Sequence, residues 1–197
     1  MKSVLAKVRR ATRHWRLKLA NRFSHRSVTG SGAVVVSLTT HGTRLALVYL
    51  TIESIAAGAL RPKRLVLWLN PAVGNTVLPK TLLNLQKRGL EIQFSDNYGP
   101  HTKYFPYVAS ISHHQLPMVT ADDDVLYPHY WLQDLDSAHR SEPQHVHCYR
   151  ARRVQLHYGA LRSYSEWPFS DSTVPSILNF ATGVSGVIYP PALMDAT

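Results

Sequence analysis

The sequence predicts an α/β fold in which a mostly parallel sheet is flanked by helices. Three observations lead to this prediction. Short runs of aliphatic and β-branched residues alternate along the chain with segments of helical periodicity. The segments between the runs are long enough for the crossover of about a dozen residues that each parallel return requires. The composition, with 45% hydrophobic and 17% charged residues among 197, is that of a globular domain.

The first two strands are predicted at Ala33–Leu38 and Arg64–Leu69, where apolar and β-branched residues cluster. A helix between them is expected to end near Gly58, because apolar residues recur at helical spacing before it. These residues are Leu45, Val48, Ile52 and Ile55. Residues 33–69 are therefore predicted to form a strand–helix–strand unit.

The second unit begins with a helix predicted at Leu78–Arg88, with Pro79 in its first turn and Gly89 as its C-terminal stop. Apolar runs then predict a third strand at Leu90–Phe94 and a fourth at Pro117–Ala121. A mostly parallel sheet follows from this order of elements.

The last third of the chain gives weaker signals. A short helix is expected around Trp131, and alternation predicts a strand over 145–149. A permissive loop at Thr182–Gly186 precedes a strand at Val187–Tyr189. The spacing of histidines near Cys148 does not match a zinc motif.

The composition and spacing of residues 1–29 predict a basic amphipathic N-terminal extension. A linker at Ser27–Gly32 is expected to separate it from a domain over 30–197. The extension carries nine Lys or Arg and no acidic residue, whereas the rest carries 13 basic against 12 acidic residues. Its apolar residues Val4, Val8, Ala11 and Trp15 recur at helical spacing. An anionic membrane surface is the expected partner, and a helix packed on its own domain or a transit peptide is the alternative.

Composition excludes several classes of protein. The single cysteine, Cys148, cannot form an internal disulfide, and no apolar run approaches the ~20 residues of a transmembrane helix. Cations interrupt any secretory h-region, so the expected location is cytoplasmic, peripheral at the inner face of the membrane. The domain over 30–197 is nearly neutral in charge and lacks a nucleic-acid-binding motif, so no nucleic-acid partner is expected.

The acidic triplet Asp122–Asp124 is the strongest chemical signal, because it directly follows the fourth strand. Adjacent carboxylates repel one another unless a cation holds them ionised. Mg²⁺ or Mn²⁺ usually takes one or two carboxylates and completes its shell with phosphate and water. The alternative is an acidic cap for the next helix, for which one Asp would suffice.

Other polar residues lie at the ends of the first and third strands, at the edge where parallel sheets bind ligands. A ligand-binding pocket is expected there, with ordinary turn chemistry as the alternative. Its candidate residues are Ser37, Thr39, Thr40, Arg44, Asp96 and Lys103. Lys103 would act as a point charge on a diphosphate, or would simply be a solvated surface cation.

Three segments carry a family resemblance: VSLTTHGTR at the first strand, SDNYGPHTKYFPY in the middle and ADDDVLYP at the triplet. With them, over roughly Ala33–Pro191, the chain resembles GT-A type nucleotide-sugar glycosyltransferases, in particular bacterial family 2-like enzymes. The resemblance implies a Rossmann-like GT-A sheet and a DxD metal motif. It assigns Asp124 to the metal with Asp122 beside it, and Asp122 and Asp123 to the donor. It also assigns the residues of 36–40 and Arg44 to the nucleotide pocket.

The resemblance implies a metal-dependent hexosyltransferase-like activity in polysaccharide biosynthesis. A sugar would pass from a nucleoside diphosphate donor to a glycan or lipid-linked acceptor. Such enzymes often draw a base from segments after the region matching GVIYPP, and the chain stops six residues past Pro191, so the C-terminal part is expected to be missing. The alternative is an impaired remnant that binds nucleotide-sugar or a partner without turnover. No catalytic base is assigned; Glu166, Asp171 and Asp195 are the acids considered.

Overall fold

A computed structural model describes residues 2–74 and 77–195, without the side chains of residues 2–7, 73 and 74. The helices are α1 (Lys2–Phe23), α2 (Val48–Ala56), α3 (Pro71–Gly74), α4 (Lys80–Gln86), α5 (Phe105–Ser110) and α6 (Trp131–Ser141). The strands are β1 (Gly32–Thr39), β2 (Pro62–Leu69), β3 (Leu90–Phe94), β4 (Met118–Ala121), β5 (His147–Cys148), β6 (Ala151–Arg153), β7 (Leu156–His157), β8 (Ala160–Leu161), β9 (Asn179–Ala181) and β10 (Val187–Tyr189).

The main sheet has six strands in the order β3-β2-β1-β4-β10-β5. The first four are mutually parallel, and β10 runs antiparallel to both β4 and β5. The predicted α/β class with a mostly parallel, helix-flanked sheet is therefore confirmed, and the arrangement is compatible with a Rossmann-like fold. Because β1 and β4 are neighbours, the segments that follow them emerge side by side at the carboxyl edge.

Most predicted elements are present with shifted ends. The helix expected up to Gly58 begins only at Val48, because Gly42–Ala46 forms a 3₁₀ turn first. The helix predicted at Leu78–Arg88 is shorter, and Gly89 stops it with a φ of +100°, a conformation that glycine adopts without strain. The strand predicted over 145–149 shrinks to the two residues of β5.

The sheet is covered on both faces. One face carries the larger core, in which Val36 and Leu38 of β1 pack among buried residues of α1, α2, α4 and α6. The other face carries a smaller cluster built around Val35, Trp68 and Tyr107. The alternating direction of side chains along β1 divides its residues between the two cores.

The basic N-terminal segment forms the predicted helix, and its C-terminal half packs onto the domain. Leu17 and Asn21 of α1 are buried, and α1 contacts α2 and α4. The connection predicted as a linker is fixed as well, since Val28 is fully buried and its N–H donates to the Arg88 carbonyl at 2.9 Å. The apolar stripe expected on this helix faces outward: Val8, Ala11 and Trp15 are exposed, whereas the side chain of Val4 lies outside the described residues.

Two small sheets, β6–β9 and β7–β8, form the region after α6. Arg150 and Arg152 stack over the Phe169 ring at 4.9 and 4.6 Å, so these guanidinium groups contribute to packing. In the described part of the chain, no helix is both long and apolar enough to cross a bilayer.

Candidate functional site

The acidic triplet lies at the carboxyl edge of the sheet, directly after β4. The residues that follow β1 reach the same place, because the two strands are parallel neighbours. The structure thus brings Thr40 and Arg44 together with the triplet, and Lys103 joins them from the 3₁₀ turn Gly99–Lys103 that follows β3. Each aspartate has a different environment.

Asp123 is buried, with only 7% of its surface exposed, and it ties the ends of β1 and β4 together. Its carboxylate accepts a hydrogen bond from the Thr40 hydroxyl at 2.6 Å and an ion-paired one from Arg44 at 2.8 Å. Its carbonyl accepts a further bond from the Thr51 hydroxyl at 2.9 Å. The Arg44 guanidinium supplies the positive charge that a buried carboxylate requires.

Asp122 is paired with Lys103, whose ammonium lies 2.8 Å from the carboxylate oxygen Oδ1. Both side chains are largely buried. The backbone of Gly183 also closes on this lysine, since a Cβ there would stand 2.9 Å from Nζ. The Asp122–Lys103 pair therefore lies against the loop that precedes β10.

Asp124 is the triplet member with a carboxylate open to solvent. Its side chain is 63% exposed, and its contact with Arg44 is 3.6 Å long. An ion pair of that length at the surface is weak. Of the three aspartates, Asp124 is the one that is free to accept a ligand.

A buried aromatic pair, Tyr127 and Trp131, packs beneath the acidic turn and bonds to its backbone. The phenol oxygen of Tyr127 accepts the backbone N–H of Asp122 at 2.7 Å, and the Tyr127 N–H donates to the Ser54 hydroxyl at 2.9 Å. Burial raises the pKa of Tyr127 above its ordinary value, and the nearby carboxylates add to the rise. The ring packs on Trp131 at a centroid distance of 3.9 Å, and Trp131 donates its indole N–H to the Ser185 carbonyl at 2.7 Å.

The sequence analysis did not identify this supporting role of Tyr127. The signal was an aromatic residue three positions after the triplet and four before a tryptophan. Helical or turn spacing of that kind brings two rings together. Uncharged residues therefore help to hold the acidic turn in place, in addition to the ion pairs of Arg44 and Lys103.

Replacing Tyr127 with phenylalanine is expected to lower the free energy of unfolding by about 1–3 kcal/mol, because the Asp122 N–H loses its buried acceptor. Chemical denaturation of both proteins measures this. Tyr130→Phe is the control, since the Tyr130 side chain is exposed and its change should lie within about 0.5 kcal/mol of zero. Equal effects of the two substitutions would contradict the support assigned to Tyr127.

The side chains of the other residues predicted to line the pocket, Ser37, Thr39 and Asp96, form no hydrogen bond with the acidic triplet in the described part of the chain. Ser37 is fully buried and its hydroxyl accepts the Trp68 indole N–H at 3.0 Å, so it faces the smaller core. Thr39 donates to the Trp68 carbonyl at 3.0 Å. Asp96 is exposed at the end of β3, three strands from β4, which corresponds to about 14 Å at normal strand spacing.

The donor set fits a divalent ion only with help from a ligand. Within the described residues, no cluster of three or more His, Cys, Asp or Glu side chains is arranged to hold a metal. Lys103 occupies one oxygen of Asp122, and Asp123 is committed to Thr40 and Arg44. Asp124, with the remaining oxygen of Asp122, matches the one or two carboxylates that Mg²⁺ or Mn²⁺ takes beside phosphate and water.

The acids considered as catalytic bases lie in other environments. Asp195 accepts the backbone N–H of His114 at 2.7 Å. Because His114 precedes β4, whereas the triplet follows it, Asp195 lies at the opposite edge of the sheet from the triplet. That bond and a second from the His114 ring lower the pKa of Asp195, which makes it a weak base. Glu166 belongs to a capping box with Ser163, and Asp171 is exposed in a loop.

Comparison with known proteins adds no assignment. No protein-family model matches the chain, and no curated protein shows significant similarity to it. The case for a function therefore depends on the geometry of the acidic edge and on the three motifs.

Proposed function

We propose that the chain is a metal-dependent glycosyltransferase of GT-A type, which transfers a sugar from a nucleoside diphosphate donor to a glycan or lipid-linked acceptor in polysaccharide biosynthesis. The observation that supports this is the convergence of the Asp122–Asp124 turn with Arg44 and Lys103 at the carboxyl edge of a parallel sheet. Ligands of open parallel sheets bind at that edge.

The exposed carboxylate of Asp124 is the proposed ligand of Mn²⁺ or Mg²⁺, with the second oxygen of Asp122 beside it. The ion, when bound, would neutralise charge on the departing diphosphate. Arg44 and Lys103 are ion-paired with Asp123 and Asp122, and these pairs hold the two carboxylates in place before a ligand binds. Such preorganised charge is the main means by which a leaving group is stabilised.

The nucleoside is proposed to extend from the triplet along the sheet edge toward β3. Thr39, at the end of β1, and Asp96, at the end of β3, lie on that path. Asp96 is exposed and available for a ribose or base contact. Ser37 has no role in this proposal, because it is buried against Trp68.

A second candidate function is donor binding without turnover. The observation that favours it is the position of Asp195 at the opposite edge of the sheet, together with the commitment of Glu166 to a capping box. Asp195 is therefore separated from Asp124 by the length of β4, and the carboxylate of Glu166 is engaged in its own turn.

We also propose that the protein acts at the cytoplasmic face of a membrane. The outer side of α1 supports this, because exposed apolar residues form one stripe with cations on both flanks. The apolar residues are Val8, Trp15, Leu19 and Phe23. A helix of this kind lies in the interface of an anionic bilayer, where a lipid-linked acceptor would be found.

Asp124→Ala is expected to weaken the metal-dependent binding of nucleoside diphosphate by roughly a hundredfold or more, because the proposed ion loses its most accessible ligand. Isothermal titration of UDP and GDP, with and without Mn²⁺, measures this and identifies the preferred base. The exposed side chain makes a folding defect unexpected.

Glu142→Ala is the matched control, since Glu142 is an exposed acid at the far end of α6. Its binding should equal that of the wild type. Unchanged Mn²⁺-dependent affinity in Asp124→Ala would refute the metal assignment, and absence of UDP and GDP binding by the wild type would refute the function. Binding without sugar transfer to any acceptor would favour the second candidate.

A further inference from the structure

A cavity of about 540 Å³ opens between α1 and the acidic turn. Its walls come from the inner side of α1, the beginning of α2 and the residues that follow β4. Asp123 and Asp124 line it. Its volume falls within the range of small-molecule sites.

Arginine is the commonest residue in the lining of the cavity. Four arginines and two aspartates belong to this lining, which leaves a surplus of two positive charges. The four arginines are Arg9, Arg10, Arg13 and Arg44. A ligand that balances this surplus carries at least two negative charges, and arginine suits phosphate because its planar fork donates two parallel hydrogen bonds.

Two of the four arginines already have fixed partners. Arg44 pairs with Asp123 at 2.8 Å, and Arg13 donates to the backbone carbonyls of Leu126 and Tyr127. Arg13 therefore ties α1 to the same turn that carries the triplet. Within the described residues, Arg9 and Arg10 are in no ion pair and in no side-chain hydrogen bond, so their charge is available to a ligand.

The position of Arg9 and Arg10 follows from the packing of the helix. Residues 9, 13, 17 and 21 are spaced by four and share one side of α1, and on that side Leu17 and Asn21 are buried against the domain. Arg10 lies next to this side, since it precedes Leu17 by seven residues. The packing that buries Leu17 thus places both arginines beside the acidic turn.

We infer that this cavity is a diphosphate site in which Arg9 and Arg10 of the N-terminal helix contact the phosphate oxygens and Asp124 lines the same cavity. The inference rests on the proposed function insofar as the diphosphate belongs to a sugar donor. A lipid-linked diphosphate presents the same chemistry to the same arginines. The basic segment is thereby part of the binding site and not only a membrane-facing extension.

The test compares two double variants of α1 in the full chain. Arg9→Gln/Arg10→Gln removes the two uncommitted charges of the cavity. Arg16→Gln/Arg22→Gln removes the same charge from the same helix at positions that do not line this cavity. Isothermal titration with inorganic pyrophosphate, UDP, GDP and geranyl diphosphate, each with and without Mn²⁺, separates the phosphate contact from its two sources.

Pyrophosphate affinity is expected to fall roughly a hundredfold in Arg9→Gln/Arg10→Gln, because each charge-assisted contact contributes about tenfold. The control variant should stay within about threefold of the wild type, since distant surface charges are screened at physiological salt. The same loss for UDP or GDP identifies a nucleotide source, and the same loss for geranyl diphosphate alone identifies a lipid source.

Equal affinities of the two double variants for pyrophosphate would overturn the inference, as would the absence of pyrophosphate binding by the wild type. These results differ from a failure of the proposed function. That failure is an absence of nucleoside diphosphate binding by the wild type, which leaves the pyrophosphate and lipid arms able to support the diphosphate site.

Discussion

Replacing Glu53 with glutamine is expected to lower the free energy of unfolding by about 3–5 kcal/mol, although the two side chains have nearly the same volume. Glu53 of α2 is only 2% exposed and is ion-paired with Arg88 at 2.5 Å. Removing its charge leaves the buried Arg88 guanidinium without a carboxylate. An uncompensated charge in the interior is among the most destabilising changes a protein can undergo.

The effect should be large because the pair joins several elements. The Glu53 carboxylate also accepts from Asn21 of α1 at 3.1 Å, and Arg88 donates to the Arg26 carbonyl at 2.6 Å. The buried pair therefore links α1, α2 and the turn that follows α4. We expect α1 to loosen from the domain in this variant, which chemical denaturation and hydrogen exchange of the α1 amides would both detect.

Glu91→Gln is the matched control. Arg64 and Glu91 form a similar two-pronged pair, at 2.8 and 2.7 Å, but their side chains are 40% and 32% exposed. Water can replace the lost partner there, so the expected cost is about 0–1 kcal/mol. Comparable losses in the two variants would show that burial does not govern the Glu53 pair. A Glu53→Met/Arg88→Met variant should recover most of the loss, because no charge then remains buried.

The Glu53–Arg88 pair also shows what the sequence did not predict. Periodicity located α2 and the helix before Gly89, since apolar spacing depends only on neighbouring positions. It could not show that an acid in one helix and an arginine 35 positions later would be buried together. The basic segment was expected to stand apart for the same reason: its charge is local information, whereas the partners of Asn21 and Arg13 are distant in the chain.

The acidic edge was predicted more fully, because topology made it predictable. Parallel strands end at one edge, so residues that follow β1 and β4 had to meet. The distinct tasks of the three aspartates were not predictable. Asp123 is the buried member because Thr40 and Arg44, which are distant in the sequence, both bond to its carboxylate. Asp124 stays exposed because its nearest ion-pair partner, Arg44, is 3.6 Å away.

Gly186→Ala is the second substitution with a large expected effect, a loss of about 3–5 kcal/mol in the free energy of unfolding. Gly186 has a φ of +102°, which costs an L residue about 1–2 kcal/mol. A Cβ there would also stand 2.7 Å from Nε1 of Trp131 and 2.8 Å from its Cζ2. These atoms belong to a rigid ring that is buried on Tyr127, so they cannot move aside cheaply.

Gly159→Ala separates the two contributions. Gly159 has a φ of +78°, yet nothing lies within 4 Å of the position of its Cβ. Its replacement should cost about 1–2 kcal/mol for the backbone alone. The difference between the variants then measures the clash with Trp131, and equal losses would show that the loop before β10 yields to the added methyl group.

The clash at Gly186 should also affect the proposed binding site, because a short series of contacts connects the two. Trp131 stacks on Tyr127, and the Tyr127 phenol accepts the Asp122 N–H at 2.7 Å. A displaced tryptophan ring therefore shifts the acceptor that fixes the acidic turn. We expect folded Gly186→Ala to bind Mn²⁺ and nucleoside diphosphate more weakly than folded Gly159→Ala. In a Trp131→Phe background, which lacks the two clashing atoms, Gly186→Ala should cost less, and this double-mutant cycle assigns the coupling to the ring itself.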